Sequence, residues 1–273
     1  MRDALALSRV EGRDIVGDVA SIRAILFDKD GTLVDFERTW GPAVQAVLRH
    51  LSRGDDTLYR KLGAASGLVD SARRFLSDSP LIDQPTSVLA ARWAKLLGRP
   101  ADAAFLAEIN RLLCEATTVY LAAIGDPKAV LGELAARGYG LGMITNDAEA
   151  TARVHARKLG FEHMLAFVAG YDSGFGAKPA AGPVLAFAAA IGVAASQVVL
   201  VGDTALDVAT ARAAGAHAVV VLTGPKSPDL HQAKADAVIA SVVELPAWLS
   251  TVNNHRLPAP VRQLTRRARR RKV

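Results

Sequence analysis

The stretch IRAILFDKDGT, residues 22–32, begins as a short apolar run and then turns abruptly acidic. The apolar run predicts a buried β-strand. Residues two apart on an extended backbone face the same way, so Asp28 and Asp30 can address one ligand while Lys29 points elsewhere. Gly31 lets the chain leave the strand through a turn that would crowd a larger residue. Taken alone, the stretch is equally compatible with a plain polar turn after a strand.

Similar apolar runs recur along the chain, with helical patterns between them. Strands are predicted over residues 141–145, 198–201 and 218–222, with weaker candidates over 164–169 and 237–240, and helices over 127–137, 149–159, 180–191 and 205–214. Strands that alternate with helices of this length predict an α/β fold, with a Rossmann-like parallel sheet covered on both faces.

The alternation is broken once, between residues 36 and 120. This segment shows no convincing strand, but its apolar residues recur at three- and four-residue spacing, as in Val44, Val47, Leu48 and Leu51. The spacing is typical of amphipathic helices. We therefore expect an all-helical insertion, and such a unit can close over an active site and exclude water.

These patterns predict three parts of the chain. Residues 1–35 and 121–250 are expected to form the α/β core, and residues 36–120 the helical cap. Residues 251–273 are expected to form a basic, flexible tail.

Composition narrows the class of protein. The chain has 273 residues, of which 51% are hydrophobic and 22% charged, as in a globular protein with a sizeable core. The single cysteine, Cys114, excludes an intrachain disulfide and a thiolate zinc site, and we expect it to be a buried structural thiol. No segment has the features of a signal peptide or a membrane span, so we expect a cytoplasmic protein without membrane contact. The six histidines have no metal-ligand spacing and are expected to be structural or solvated.

The net charge of +6 belongs mainly to the tail. Residues 256–272 include eight basic residues and no acidic one, so the rest of the chain carries about −2. Such a tail could bind nucleic acid or another anionic surface, which is a hypothesis of a different functional class. The remainder of the chain has no nucleic-acid-binding motif, so we expect at most an accessory role for the tail.

A second acidic cluster follows another predicted strand. In residues 201–207, VGDTALD, the strand ends and a helix begins, with Asp203 and Asp207 four residues apart. Asp203 could simply be a helix N-cap. However, the carboxyl ends of parallel strands share one crevice, so these acids would meet Asp28 and Asp30 there. That much negative charge is unfavourable without a cation, and ligands that are all oxygens suit Mg²⁺.

Polar residues at two further positions complete the pattern. Thr145 and Asn146 follow the predicted strand 141–145, and Lys178 precedes a predicted helix. A hydroxyl, an amide and free backbone N–H groups at a strand end can hold phosphate oxygens, and Lys178 can supply a positive charge.

Together, Asp28-x-Asp30-Gly31-Thr32, Thr145-Asn146, Lys178-Pro179 and Gly202-Asp203-x-x-x-Asp207 resemble the four signature motifs of the haloacid dehalogenase (HAD) superfamily, in order. The resemblance covers about residues 22–245. Within the superfamily the chain is similar to the phosphoglycolate phosphatase branch, which carries a helical cap between the first two motifs.

The resemblance implies catalytic and phosphate-binding roles for five residues. Asp28 would attack phosphorus and become an aspartyl phosphate. Asp30 would protonate the leaving alcohol and then activate water. Thr145, Asn146 and Lys178 would bind the transferring phosphoryl group, with Lys178 also contacting Asp28.

It also implies a magnesium site and a reaction class. Mg²⁺ would be held by Asp28, by the main-chain carbonyl of Asp30 and by Asp203, with Asp207 supporting these ligands from behind. Dehalogenases of the superfamily lack an acid at the position of Asp30, because a halide leaves without a proton. The presence of Asp30 therefore favours hydrolysis of a phosphate ester.

The substrate is less well defined. Arg38, Trp40, Arg73 and Arg74 are candidates for substrate selection, and an arginine could bind a substrate carboxylate, although a solvated helix charge is the more ordinary explanation. The resemblance makes phosphoglycolate the best single candidate. A sugar phosphate, a nucleotide, or phosphotransfer to a second alcohol stays open, and the oligomeric state cannot be read from the sequence.

Overall fold

The computed structural model describes residues 22–225 and 235–252. The described strands are β1 (Ala24–Asp28), β2 (Leu68–Val69), β3 (Arg74–Phe75), β4 (Gly140–Ile144), β5 (Phe167–Ala169), β6 (Val198–Gly202), β7 (His217–Val221) and β8 (Ala237–Ile239). The described α-helices are α1 (Phe36–Ser52), α2 (Asp56–Ala65), α3 (Pro80–Asp83), α4 (Thr86–Leu97), α5 (Ala103–Val119), α6 (Pro127–Ala136), α7 (Glu149–Lys158), α8 (Gly182–Ile191), α9 (Ala205–Ala213) and α10 (Leu245–Val252).

Six strands form one parallel sheet in the order β5-β4-β1-β6-β7-β8. The predicted α/β fold class is confirmed, and a strand lies within or close to every predicted strand segment. β1 lies inside the sheet, with β4 and β5 on one side and β6, β7 and β8 on the other. The order reverses beside β1, and this is where a crevice opens at the carboxyl ends of the strands.

The two faces of β1 bury alternate residues, as the period of two in a strand requires. Ile25 and Phe27 pack with residues of α6, α7 and α10, whereas Ala24 and Leu26 pack with residues of α8 and α9. Gly142 in β4 lets α8 approach closely, because a Cβ atom there would lie 2.7 Å from the Phe187 ring. Helices packed on both faces of the sheet therefore fix the position of the strand ends.

Helices α1 to α5 bury a third apolar cluster of their own, which includes Trp93, Leu48 and Leu62. This segment also contains β2 and β3, a short antiparallel pair, whereas we expected helices alone. Strands of two residues are too short to show an alternating pattern, so the sequence carries no strand signal here. The limits of cap and core drawn from the sequence stay predictions.

Other expectations have different outcomes. The prediction of a buried Cys114 was wrong: its side chain is only partly buried, beside the buried stripe of α5 formed by Phe105, Ile109 and Leu113. No helix of the described residues has the length and apolar character needed to span a membrane. Residues 1–21, 226–234 and 253–273 lie outside the described residues, and with them almost all of the predicted basic tail.

Candidate active site

The strand register brings the separate motifs together. Asp28, the last residue of β1, pairs with Ile144 of β4. Thr145, the next residue after Ile144, therefore lies beside the end of β1. On the other side Phe27 pairs with Val201 of β6, which places Asp203 just beyond the same edge. The three strand ends thus converge on one crevice, as the sequence predicted.

A cleft opens at this edge between the sheet and the helical segment. Its lining includes all the predicted catalytic and phosphate-binding residues, namely Asp28, Asp30, Thr145, Asn146 and Lys178. The cap side is lined by Trp40, Pro80, Leu81, Ile82, Asp83, Gln84, Thr86 and Leu89. The helical segment therefore supplies one wall of the cleft.

Asp28 is 5% exposed and forms an ion pair with Lys178, whose Nζ lies 2.8 Å from Asp28 Oδ1. The same Nζ lies 2.6 Å from Asp207 Oδ1. Burial raises the pKa of Asp28 to about 7, against the opposing effect of Lys178. Burial alone would lower the pKa of Lys178, but the carboxylates of Asp207 and Asp28 outweigh it and raise that pKa. Lys178 is therefore a stable cation in contact with Asp28.

Asp28, Asp203 and Asp207 form a buried carboxylate cluster in which one oxygen from each lies within 4.8 Å of the others. Burial raises the pKa of Asp203 well above its ordinary value, and the negative charges of Asp28 and Asp207 raise it further. Such a cluster is short of positive charge. Its ligand atoms are all carboxylate oxygens, which is the donor set of a hard divalent cation.

The backbone is packed tightly around these acids. A Cβ atom at Gly31, where φ is +80°, would lie 2.4 Å from Asp203 Oδ2, and one at Gly224 would lie 1.9 Å from the same atom. A Cβ atom at Gly202 would lie 2.2 Å from Asp207 Cγ. Gly224 was missed by the sequence reasoning because it follows no motif spacing. Only residues without a side chain fit against the carboxylates.

Asp207 is held by its own helix as well as by Lys178. Its Oδ2 accepts hydrogen bonds from Thr204 N at 3.0 Å and Thr204 Oγ1 at 2.7 Å. This is the reciprocal capping arrangement at the start of α9. Both oxygens of Asp207 are thus engaged by protein donors.

Both oxygens of the Asp30 carboxylate are also held. Trp40 Nε1 donates to Asp30 Oδ1 at 2.8 Å, and Lys29 Nζ lies 2.7 Å from Asp30 Oδ2. Trp40 belongs to α1, so a residue of the helical segment orients the proposed acid of the core. Trp40 was predicted only as a residue of substrate selection.

Lys29 is the centre of a buried polar network that the sequence reasoning missed. It is 0% exposed, and its Nζ also lies 2.9 Å from Asp147 Oδ2 and 3.4 Å from His155 Nδ1. His155 Nε2 lies 3.0 Å from Thr117 Oγ1 in α5. Lys29, the residue after β1, does point away from Asp28, since it contacts Asp147 and His155 whereas Asp28 contacts Lys178. The available signal was a lysine between two aspartates directly after a buried run.

Thr145 and Asn146 take different positions in the site. Thr145 Oγ1 accepts a hydrogen bond of 3.0 Å from Asp147 N, which leaves the hydroxyl hydrogen available in the cleft. The Asn146 side chain accepts from Lys178 N at 2.9 Å and donates to Asp83 O at 3.0 Å. The amide of Asn146 therefore joins the Lys178 segment to the cap.

The arginine candidates lie elsewhere. Arg38, Arg73 and Arg74 are exposed and are not part of the cleft lining, whereas Trp40 is buried within it. Their role in substrate selection stays a prediction. The cap-side polar residues Asp83, Gln84 and Thr86 were not singled out from the sequence, because nothing in their spacing separates them from ordinary loop and helix-start residues.

Comparisons with known proteins identify the family of the chain. The family model described as haloacid dehalogenase-like hydrolase matches residues 22–215. The chain belongs to the haloacid dehalogenase-like hydrolases. Phosphoglycolate phosphatase of Rhodospirillum rubrum is 33% identical over 83% of this chain and 90% of that protein. The protein of the same name from Chromobacterium violaceum is 31% identical over 82% of this chain and 95% of its own length.

A crystal structure of a HAD phosphatase from Thermococcus onnurineus is 26% identical, with a TM-score of 0.58, over 83% of this chain and 97% of that one. This HAD-like chain is accordingly an enzyme of the phosphatase type. The resemblance stated from four motifs is confirmed. Three of the four motifs of this HAD member lie at strand ends, and Lys178 lies in the segment between β5 and α8.

Proposed function

We propose that the protein is a Mg²⁺-dependent phosphomonoesterase that works through an aspartyl phosphate on Asp28, with phosphoglycolate as the first substrate candidate. The observation that carries the proposal is the contact of Asp28 with Lys178, at 2.8 Å, inside a buried carboxylate cluster at the cleft. A cation beside the nucleophile lets an anionic carboxylate approach an anionic ester.

The reaction needs two proton transfers, and Asp30 can serve both. In the first step an Asp28 oxygen bonds to phosphorus while the bond from phosphorus to the leaving oxygen breaks, and the Asp30 carboxyl gives that oxygen its proton. In the second step the Asp30 carboxylate takes a proton from water, whose oxygen bonds to phosphorus and releases Asp28. Thr145 and Lys178 hold the phosphoryl oxygens in both steps.

The residues fit a magnesium ion. Asp28 and Asp203 would hold it together with the main-chain carbonyl of Asp30, and Asp207 would support them. When bound, Mg²⁺ neutralises negative charge on the phosphoryl group and the carboxylates.

Phosphoglycolate is supported by the relatives named phosphoglycolate phosphatase, which match this chain over most of their own length. The cap side of the cleft favours a second candidate class. Its described polar side chains are Asp83, Gln84 and Thr86, and the described lining of the cap includes no lysine or arginine. Carboxylate, amide and hydroxyl groups bind hydroxyl groups well, so a sugar phosphate or a nucleotide is the alternative substrate.

A screen of phosphorylated metabolites with phosphate release as readout tests the proposal. We expect turnover that needs Mg²⁺ and a clear rank order between phosphoglycolate and the sugar phosphates. Asp28→Asn should abolish phosphate release, while Asp78→Asn, at an exposed position of the cap, should retain it. Near-native turnover by Asp28→Asn would show that the nucleophile is wrongly assigned.

Two other activities are separated by simple measurements. Transfer of the phosphoryl group to a second alcohol would appear as a new phosphate ester in the products instead of free phosphate. Binding of nucleic acid through the basic tail would be lost on truncation at Pro258, whereas phosphatase turnover would persist.

A further inference from the structure

Lys29 is buried, and its ammonium group has an acceptor for each of its hydrogens. A lysine ammonium has three hydrogens to donate. Three acceptors surround it, namely Asp30 Oδ2 at 2.7 Å, Asp147 Oδ2 at 2.9 Å and His155 Nδ1 at 3.4 Å. The ring of Trp40 lies beside it, with the centroid 5.4 Å from Nζ. The position of the ammonium is therefore fixed from four sides.

The acceptor farthest from the cleft is fixed in turn. Burial, together with the charge of Lys29, lowers the pKa of His155 to about 2, so its imidazole is neutral. Because Lys29 can only donate, Nδ1 is the acceptor and Nε2 carries the hydrogen toward Thr117 Oγ1 at 3.0 Å. The Thr117 hydroxyl then donates to Leu113 O at 2.6 Å. A continuous chain of hydrogen bonds links α5 to Lys29.

Two cations serve the two catalytic acids separately. Lys178 contacts Asp28 and Asp207, whereas Lys29 contacts Asp30 and Asp147. The position of Lys29 directly after Asp28 explains this division, because adjacent residues on extended backbone point to opposite sides. Lys29 therefore acts on the acid that handles protons and not on the nucleophile.

Stability alone does not account for a lysine at this position. Removing an ammonium group from water costs several kcal/mol, and apolar residues of similar volume in place of both members of a buried ion pair are often as stable or more so. What an apolar residue could not do is hold Asp30 Oδ2. With Trp40 on Oδ1 and Lys29 on Oδ2, the Asp30 carboxyl has one orientation toward the cleft.

We propose that Lys29 is a positioning residue that holds the Asp30 carboxyl in place for proton transfer to the leaving oxygen; this inference rests on the proposed function. The proton leaves Asp30 as the bond between phosphorus and the leaving oxygen breaks, and Asp28 gains the bond to phosphorus. Lys29 itself gives up no proton and touches no substrate atom. Its effect should therefore depend on how much the leaving group needs a proton.

The test compares two esters in Lys29→Met. An alkyl phosphate such as phosphoglycolate, or the alkyl ester ranked first in the screen, needs a proton on its leaving oxygen. 2,4-Dinitrophenyl phosphate has a leaving group that departs as an anion. The ratio kcat/KM reports the steps up to this departure, so hydrolysis of the aspartyl phosphate does not enter. We expect kcat/KM to fall at least tenfold on the alkyl ester and less than twofold on the dinitrophenyl ester.

A matched control and a second variant keep the result interpretable. Lys61→Met replaces an exposed lysine of α2 and should leave both ratios unchanged. Lys29→Met/Asp147→Asn removes the carboxylate that the single change leaves unpaired, so it guards against misfolding, and it should show the same selective loss. Equal losses on both esters, no loss on the alkyl ester, or failure of both variants to fold would overturn the proposal.

Failure of the proposed function has a different signature. Asp28→Asn should lose activity on both esters, whether or not Lys29 has the proposed role, because hydrolysis of each ester needs the nucleophile. Retained turnover in Asp28→Asn would refute the aspartyl phosphate, while a wild-type ester profile in Lys29→Met would refute only the positioning role.

Discussion

Trp40 Nε1 donates a hydrogen bond of 2.8 Å to Asp30 Oδ1, and this bond joins the first helix of the cap to the proposed acid of the core. Asp30 follows β1 by two residues, whereas Trp40 lies in α1, beyond the turn at Gly31. The proposed proton-transfer group is therefore oriented by a residue of the helical segment that also lines the cleft.

Trp40→Phe should lower turnover while leaving the fold intact. The change keeps an aromatic ring against Phe36 but removes the indole N–H, and a hydrogen bond to a charged group contributes about 1.5–3 kcal/mol. We expect kcat on an alkyl phosphate to fall about tenfold or more. Trp248→Phe in α10, which lies outside the cleft lining, is the matched control and should retain wild-type kcat. Unchanged turnover in Trp40→Phe would contradict the orienting role.

Mg²⁺ should stabilise the protein against heat through the carboxylate cluster. A ligand at about 100 times its Kd stabilises the native state by about 2.7 kcal/mol, which corresponds to a rise in Tm of roughly 5–10 °C for a chain of this size. The measurement is the thermal midpoint with Mg²⁺ and with EDTA. Asp203→Asn should lose most of the rise, because it removes one carboxylate of the cluster.

The control for the metal experiment is Asp78→Asn, at an exposed position outside the cluster, which should keep the full rise. The same rise in wild type and in Asp203→Asn would place the ion somewhere other than the cluster.

Gly202→Ala should disturb the site through Asp207. A Cβ atom would lie 2.2 Å from Asp207 Cγ, and Asp207 cannot move aside because Thr204 and Lys178 hold its two oxygens. Overpacking of this kind costs about 1–3 kcal/mol. We expect a lower Tm and a loss of phosphate release, measured on the same preparation.

Gly132→Ala provides the comparison for this glycine. Gly132 lies in α6, where the nearest atom to a new Cβ would be Met164 Cε at 3.7 Å, an ordinary contact. Alanine favours a helix more than glycine, so Tm should hold or rise and activity should persist. Equal behaviour of the two variants would mean that the close contact at Gly202 is readily relieved.

Much of the site could be predicted because its residues are fixed by the ends of strands. An apolar run predicts a buried strand, and parallel strands bring their carboxyl ends to one edge, so Asp28, Thr145 and Asp203 could be placed together without a structure. Lys178 needed the family resemblance, since it precedes a helix and follows no strand.

Other residues were beyond the sequence for physical reasons. Lys29 and His155 are 126 positions apart, and only the packing of α7 against the sheet brings them together. Asp83 and Gln84 reach the cleft from the end of α3, a helix of four residues that is too short for a periodic pattern to show which way a side chain faces. Arg73 and Arg74 have the charge expected of a substrate contact, but charge alone does not show whether a side chain faces the cleft.

His155 should make the stability of the protein depend on pH. Burial, with Lys29 and Lys158 nearby, lowers its pKa to about 2, whereas an unfolded histidine has a pKa of about 6.5. Below pH 6.5 the unfolded chain therefore takes up a proton that the folded chain does not. The contribution of neutral His155 is present above pH 6.5 and is lost as the pH falls, by about 1.4 kcal/mol per pH unit.

His155→Gln removes this titration and keeps a side chain that can accept from Lys29 and donate to Thr117. Urea unfolding at pH 7.5 and pH 5.5 measures the effect. The wild type should lose about 1.4 kcal/mol more of its free energy of unfolding over this interval than the variant does, because only the wild-type unfolded state gains the His155 proton. His163→Gln, at an exposed position, should behave as the wild type. Equal losses of unfolding free energy in wild type and His155→Gln would mean that the buried imidazole takes up its proton in the folded state. The assignment of neutral His155 as an acceptor for Lys29 would then be wrong.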